Sequence, residues 1–220
     1  MTFANEATVT GGWEDRALDR SLSAARGRSA TRARRLVDAA RTLATELGSS
    51  QFTVAEVASR ADVSLRSFYR HFSGKDELLL ALLEEEARHG AELLRAGLDE
   101  VEDPLDRLRA FVLGVCRLLV SGSGYSSLLV REHLRLGEQR PDEVRAALAP
   151  IIDVLEAVLD AASLAGEIRG VDRHDAVLMF TVVLAHVHAS ILFGPDDDAE
   201  TSATRLWEFC RFGLAPDAHR

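Results

Sequence analysis

The chain has 220 residues, of which 47% are apolar and only 6% are aromatic, and its formal net charge is −9. Its length suits one small and one larger domain, and its richness in Ala, Leu, Arg and Glu favours helices over sheets. The two cysteines, Cys116 and Cys210, form no CxxC pair, and the first thirty residues have no apolar signal region. We therefore predict an all-α, cytoplasmic protein.

The charge is unevenly distributed along the chain. Between residues 26 and 75 there are ten Arg or Lys side chains against four carboxylates, although the chain as a whole is acidic. A compact basic segment suits contact with phosphate, and an acidic remainder keeps the rest of the molecule away from a polyanion.

The first elements are predicted from caps and periodicity. Residues 1–29 are expected to be a flexible arm, either a solvated tail or one that touches a DNA groove. Leu36 to Leu47 has helical spacing, and the T-x-x-E box at Thr53 begins a second helix. A turn at Asp62 leads to Ser64, which caps a short third helix. Residues 30–76 thus form a predicted helix-turn-helix domain.

The remaining chain, residues 77–220, is predicted to be a helical bundle for ligand binding and dimerisation. Pro and Gly residues divide it into helices, which brings the total to about nine, and no strand pattern is visible. The expected helices run from about 74 to 101, 104 to 120, 125 to 137, 141 to 166, 172 to 193 and 201 to 214.

The third helix is the predicted reader of DNA. Arg66 and Arg70 can bond guanine edges, while the hydroxyl groups of Ser67 and Tyr69 can reach phosphate. The two arginines alone would also fit a solvated face, so the prediction depends on the caps, the turn and the basic segment together.

The segment ADVSLRSFYRHFSGKDELL, residues 61–79, resembles the signature of the TetR/AcrR family of bacterial repressors, and the match extends over about residues 31–80. The resemblance implies backbone contacts by Thr53, Ser67, Tyr69, His71 and Lys75, and base contacts by Leu65, Arg66 and sometimes Phe68. Asp62 stands where the family usually has glycine, and Leu65-Arg66 replaces a Lys-Gly or similar pair, which bears on the operator sequence. The predicted DNA-binding set is Thr53, Ser64, Leu65, Arg66, Ser67, Phe68, Tyr69, Arg70, His71 and Lys75.

The last two helices are the predicted dimer interface, because the helix over 172–193 is apolar around most of its circumference and the resemblance implies a four-helix interface. The alternative is that this helix is the core of the bundle. Two histidines, Thr181 and flanking acids argue against a membrane span over 176–193. The predicted interface residues are Val177, Phe180, Leu184, Val187, Ile191, Leu206 and Phe209.

By resemblance, the bundle holds a pocket for a small hydrophobic effector, although core packing alone would explain the same apolar residues. Arg131 and His133 would meet an anionic group on the effector if they are not simply exposed. The candidate pocket residues are Phe111, Leu118, Leu119, Tyr125, Leu129, Arg131, His133, Ile151 and Leu155.

The sequence has no catalytic motif, and the run Glu84 to Glu86 is interpreted as a solvated helical face. His186 and His188 are two residues apart and point to different sides of a helix, so no metal site and no cofactor are expected. The predicted function is a dimeric repressor that binds a palindromic operator in double-stranded DNA and is released by an effector. The alternative is a helical dimeric adaptor that binds protein.

Overall fold

The computed structural model describes residues 13–120, 124–193 and 198–216, which form nine α-helices and no strand. This confirms the predicted all-α architecture and its number of helices. The helices are α1 (Trp13–Leu47), α2 (Val54–Arg60), α3 (Leu65–Phe68), α4 (Lys75–Leu98), α5 (Pro104–Val120), α6 (Gly124–Gln139), α7 (Pro141–Leu164), α8 (Arg173–Phe193) and α9 (Ala199–Gly213).

Helix α1 includes residues that were predicted to form a flexible arm. It begins at Trp13 and runs for 35 residues, so residues 13–29 are helical and continue without a break, while residues 1–12 lie outside the described residues. This stretch contains no proline and is rich in Ala, Leu and Arg, which are strong helix formers. Gly27 alone does not end the helix, and its carbonyl accepts a hydrogen bond from the Thr31 hydroxyl at 2.9 Å.

Helices α2 and α3 begin where the sequence caps predict. The Thr53 hydroxyl accepts from the Glu56 amide, the Glu56 carboxylate accepts from the Thr53 amide, and Ser64 caps α3 through the Ser67 amide. Between them, Asp62 adopts a left-handed conformation with φ of 53°. Aspartate tolerates this region better than most residues, so the turn forms without glycine.

Helix α4 belongs to two apolar cores. Its first half, from Leu78 to Leu83, packs with α1, α2 and α3 in what we call the amino-terminal core, which also takes in Leu128 and Val144 from α6 and α7. Its second half, from Ala91 to Leu98, packs in the body core with side chains of α5, α7, α8 and α9. The predicted domain boundary at residue 76 therefore falls just after the start of a helix that both cores share.

Helix α8 alone among the described helices is long and apolar enough to cross a membrane, with a mean hydropathy of 2.1. One such helix is weak evidence for a membrane span. Here α8 packs against α5, α6, α7 and α9, and it contributes Met179, Phe180 and Val183 to the body core.

We expect Asp62→Gly to raise the free energy of unfolding by about 0.5 to 1 kcal/mol, because glycine adopts positive φ without steric cost. The Arg35–Asp62 ion pair that the change removes spans 3.4 Å with a 95% exposed carboxylate, so its loss costs little. Urea unfolding of the variant and of Asp62→Ala, which should be less stable than the parent, measures the effect. Equal stability of the glycine and alanine variants would show that the turn is unstrained.

Candidate DNA-binding surface and ligand cavity

Helix α3 is held against the amino-terminal core by Phe68, whose side chain is 0% exposed. Its ring lies 5.7 Å from that of Phe72, centroid to centroid, and it belongs to the same core as Val57 and Ala58 of α2. The prediction that Phe68 faces DNA bases is therefore wrong, because this side chain anchors the helix from within.

The opposite side of α3 faces solvent. Leu65 and Tyr69 are 47% and 58% exposed, and Arg66 and Arg70 are exposed beside them. Arg66 forms no ion pair with any described residue, and Arg70 reaches only the Ser67 hydroxyl, at 3.5 Å. Nearby Arg35 and Arg60 are instead paired with Asp62 and Glu46. The guanidinium groups of Arg66 on α3 and of Arg70 in the turn after it are thus available to an external anion.

The other predicted DNA-contacting side chains are engaged within the protein. The Thr53 hydroxyl donates to Glu56 at 2.8 Å, and the Ser64 hydroxyl accepts from the Ser67 amide at 3.1 Å. The Lys75 ammonium donates to the Ser50 carbonyl and lies 4.8 Å from the centre of the Phe52 ring, and burial lowers its pKa. His71 is the exception, because its buried Nε2 atom has no hydrogen-bond partner among the described residues. The bond to Ser50 leaves further N–H donors of the half-buried Lys75 ammonium for an outside acceptor such as phosphate.

A cavity of about 300 Å³ lies between α4, α5, α6, α7 and α8. Six predicted pocket residues line it: Leu118, Leu119, Tyr125, Leu129, His133 and Ile151. Phe111 and Leu155 do not, because both are fully buried in the body core. Arg131 does not either, since it is exposed and donates to the Gly48 carbonyl at 3.3 Å.

Helix α4 provides a wall of the cavity that was not predicted from the sequence. Glu86, His89, Gly90 and Leu93 line the cavity, so the interpretation of residues 84–86 as a solvated face is wrong for Glu86. The spacing of leucines along α4 could have indicated that this helix lines the cavity. It could not have shown that the Glu86 carboxylate lies there as well. No group of His, Cys, Asp or Glu side chains in the described ranges is arranged to hold a metal ion.

The polar groups of the cavity cluster near α4 and α6. The Tyr125 hydroxyl and Nδ1 of His133 are buried without a hydrogen-bond partner among the described residues. Burial raises the pKa of Tyr125, the nearby Glu86 carboxylate raises it further, and burial lowers the pKa of His133. At neutral pH both side chains are therefore uncharged.

The exposed apolar side chains of α8 and α9 form a separate feature, which we call the α8–α9 face: Val177, Leu178, Leu192, Phe193, Phe209 and Phe212. Of the predicted interface residues, Val177 and Phe209 lie on it, and Leu184 and Ile191 are half-buried. Phe180, Val187 and Leu206 are buried within the monomer, so their assignment to an interface is wrong. The most exposed side chain of the α8–α9 face, Phe212 at 87%, was not predicted to belong to an interface.

A capped helix-turn-helix joined to a helical bundle with an internal cavity defines a two-part helix-turn-helix protein. Residues 36–82 match the family model of bacterial regulatory proteins of the tetR family. The HTH-type transcriptional regulator BetI of Brucella anthropi is 35% identical over 86 residues, which are 39% of this chain and 44% of BetI. The chain thus matches less than half the length of this relative.

The fold over most of the chain is similar to that of two solved structures. FadR from Bacillus subtilis, in complex with stearoyl-CoA, superposes with a TM-score of 0.62 at 19% identity, covering 82% of this chain and 98% of FadR. RolR in complex with resorcinol gives 0.68 at 16% identity, covering 87% and 91%. Residues 36–82 thus carry the sequence signature of the tetR family of bacterial regulatory proteins, and the solved structures show that the fold is shared. BetI and FadR are by name regulators of transcription.

We expect Phe68→Ala to lower the free energy of unfolding by about 3 to 5 kcal/mol, because it leaves a cavity under α3. The adjacent Tyr69→Ala should cost far less, since that ring is mostly exposed and loses chiefly its edge contact with Phe68 at 5.3 Å. Thermal and urea unfolding followed by circular dichroism compare the two variants. A similar loss from both would contradict the inward orientation of Phe68.

Proposed function

We propose that this protein is a cytoplasmic repressor of transcription that binds a palindromic operator as a homodimer and is released by a small, mainly apolar effector. The observation that carries the proposal is the outer side of α3 and of the turn that follows it. There the guanidinium groups of Arg66 and Arg70, which form no ion pair with a described residue, share one exposed surface with the Tyr69 hydroxyl, and buried Phe68 anchors the segment from behind.

The geometry of α3 favours contact with a DNA groove. Its base is fixed by buried Phe68, so the exposed side chains are presented without the entropic cost of ordering a loop. Arginine can bond guanine through two parallel hydrogen bonds, and tyrosine can donate to phosphate. Arg66 and Leu65 are the side chains that we assign to bases, and Tyr69 with Arg70 to the backbone.

The α8–α9 face favours a symmetric dimer. Leu178, Ala185 and Leu192 recur on the exposed side of α8 at seven-residue spacing, and Phe209 and Phe212 are exposed on α9. The Ser202 hydroxyl lies 2.9 Å from Nε2 of His186, so the two helices lie side by side. An exposed apolar face of this kind indicates a protein partner, and a second copy would give one operator two reading helices.

The cavity favours a small apolar effector. Its volume of about 300 Å³ is at the lower end for small-molecule sites, and its walls are mostly Leu, Val and Ile with few polar groups. The named structural relatives hold stearoyl-CoA and resorcinol, so the same fold accommodates a long acyl chain on a charged carrier and a small aromatic diol in those proteins.

The test of DNA binding is a fluorescence titration with duplex from the region upstream of the protein's own coding sequence. We expect affinity to fall by about a thousandfold or more as salt rises from about 50 to about 200 mM, because several phosphate contacts release counterions. An adaptor that uses the basic surface for protein would show no such binding to any duplex, and that result would refute the proposal.

Single substitutions on α3 should separate the two kinds of contact. Arg66→Ala should change sequence preference, with a loss of about 1 to 3 kcal/mol on the preferred duplex alone, whereas Tyr69→Ala should weaken all duplexes alike. Titration of both variants against the upstream duplex and a shuffled one gives the comparison. The assignment is wrong if both variants lose affinity equally on the two duplexes.

The dimer prediction is tested by charge on the α8–α9 face. Phe212→Glu combined with Phe209→Glu should give monomers, because two carboxylates would be buried opposite their symmetry mates. Leu47→Glu, at an exposed leucine of α1, is the matched control and should leave the dimer intact. Sedimentation equilibrium measures the mass of each, and a charged variant that remains dimeric would place the interface elsewhere.

A further inference from the structure

Glu86 lies at the boundary between the ligand cavity and the amino-terminal domain. It lines the cavity from α4, and its side chain is 23% exposed. Its Oε1 atom accepts a hydrogen bond from Nε of Arg41 at 2.6 Å. Its second oxygen, Oε2, has no hydrogen bond to a described residue.

Arg41 belongs to α1 and ties that helix to α4. One of its terminal nitrogens binds Glu85 at 2.7 Å, and the other binds Asp38 of its own helix at 2.8 Å. Glu85 and Glu86 are thus adjacent residues that bind the same guanidinium, but only Glu86 also lines the cavity. The pair therefore offers an internal comparison between a carboxylate that faces the cavity and one that does not.

A donor that is poorly satisfied lies beside this acceptor. Tyr125 of α6 lines the same cavity, and its buried hydroxyl makes no hydrogen bond of good geometry to a described residue, although it lies close to Glu86 and Arg41. A buried hydroxyl without a partner is costly, and a ligand that bonds it recovers that cost. A group that accepts from Tyr125 and donates to Glu86 satisfies both, and a hydroxyl does this with one oxygen.

We propose that the cavity binds a small apolar molecule carrying a hydroxyl group, which donates to the Oε2 atom of Glu86, accepts from Tyr125 and so weakens the hydrogen bond between Glu86 and Arg41. This rests on the proposed function, whose effector site it specifies. A second strong donor to the same carboxylate draws on the charge that holds Arg41, so occupancy loosens the link between α1 and α4, and ligand and operator disfavour each other's binding. The reciprocity of coupled binding requires this antagonism to be equal in both directions.

The ligand class is tested with naphthol, methoxynaphthalene and naphthalene, which share a ring system. Naphthol can donate a hydrogen bond, methoxynaphthalene can only accept one, and naphthalene can do neither. Fluorescence titration should give naphthol an affinity about tenfold or more above methoxynaphthalene, because a hydrogen bond to a charged acceptor is strong. Glu86→Met should abolish this preference and Glu85→Met should retain it. Tyr125→Phe should abolish any advantage of methoxynaphthalene over naphthalene.

The coupling is tested by amide hydrogen exchange. Naphthol should slow exchange in the helices that line the cavity and speed it in residues 36–47 of α1. Arg41→Met should show raised exchange in those α1 residues without ligand, and naphthol should raise it no further.

Three results would overturn the inference: no binding of any of the three compounds, equal affinities for naphthol and methoxynaphthalene, or slower exchange in α1 with naphthol. Operator binding, measured separately on the same samples, distinguishes these failures from failure of the proposed function. A protein that binds upstream duplex but shows no preference for naphthol remains a regulator with a different kind of effector.

Discussion

Helix α4 is packed into both the amino-terminal core and the body core, and the rest of the molecule is arranged around it. Helix α4 has 24 residues and is about 36 Å long at the usual rise per residue. Leu78 and Leu82 fix one part in the amino-terminal core, while Leu94 and Leu98 fix the other in the body core. Because close-packed interiors do not yield continuously, a shift of α4 in one core must be met by repacking in the other. The position of α3 relative to the bundle is therefore set through this helix.

Ion pairs fix the rotation of α4 about its own axis, which apolar contacts alone do not fix. Arg41 joins α1 to Glu85 and Glu86 of α4, and Arg135 of α6 binds Asp76 in the first turn of α4 at 2.6 Å. These side chains are partly exposed, so each pair contributes little to overall stability. Their geometric demand is stricter, because a guanidinium bonds a carboxylate well in few orientations. Together they fix the rotation of α4 between the helices that flank it.

The sequence predicted what is encoded within one or two helical turns. These features act on backbone groups only a few residues away. They are the capping box at Thr53, the N-cap at Ser64, the left-handed turn at Asp62, and the prolines at which α5 and α7 begin. The inward face of α8 was not predictable, because a helix that is apolar all around has no preferred side. Phe180 and Val187 turn inward only because α5, α6 and α7 meet them there. The prediction for Phe68 failed because the family resemblance implied contact with DNA bases. Its packing against Phe72 and α2 instead turns the side chain into the core.

The cavity shows why charge is hard to interpret from sequence alone. A run of three glutamates is ordinarily solvated, and Glu84 follows that rule by pairing with Arg88 four residues on. Glu86 departs from it because Arg41, 45 residues earlier, neutralises its carboxylate at the edge of an apolar space. A ligand can shift a conformational equilibrium only by binding one state better than the other. In the proposed complex, a carboxylate shared between the cavity wall and α1 supplies that difference, because a hydrogen bond made to it from inside the cavity weakens its bond to Arg41.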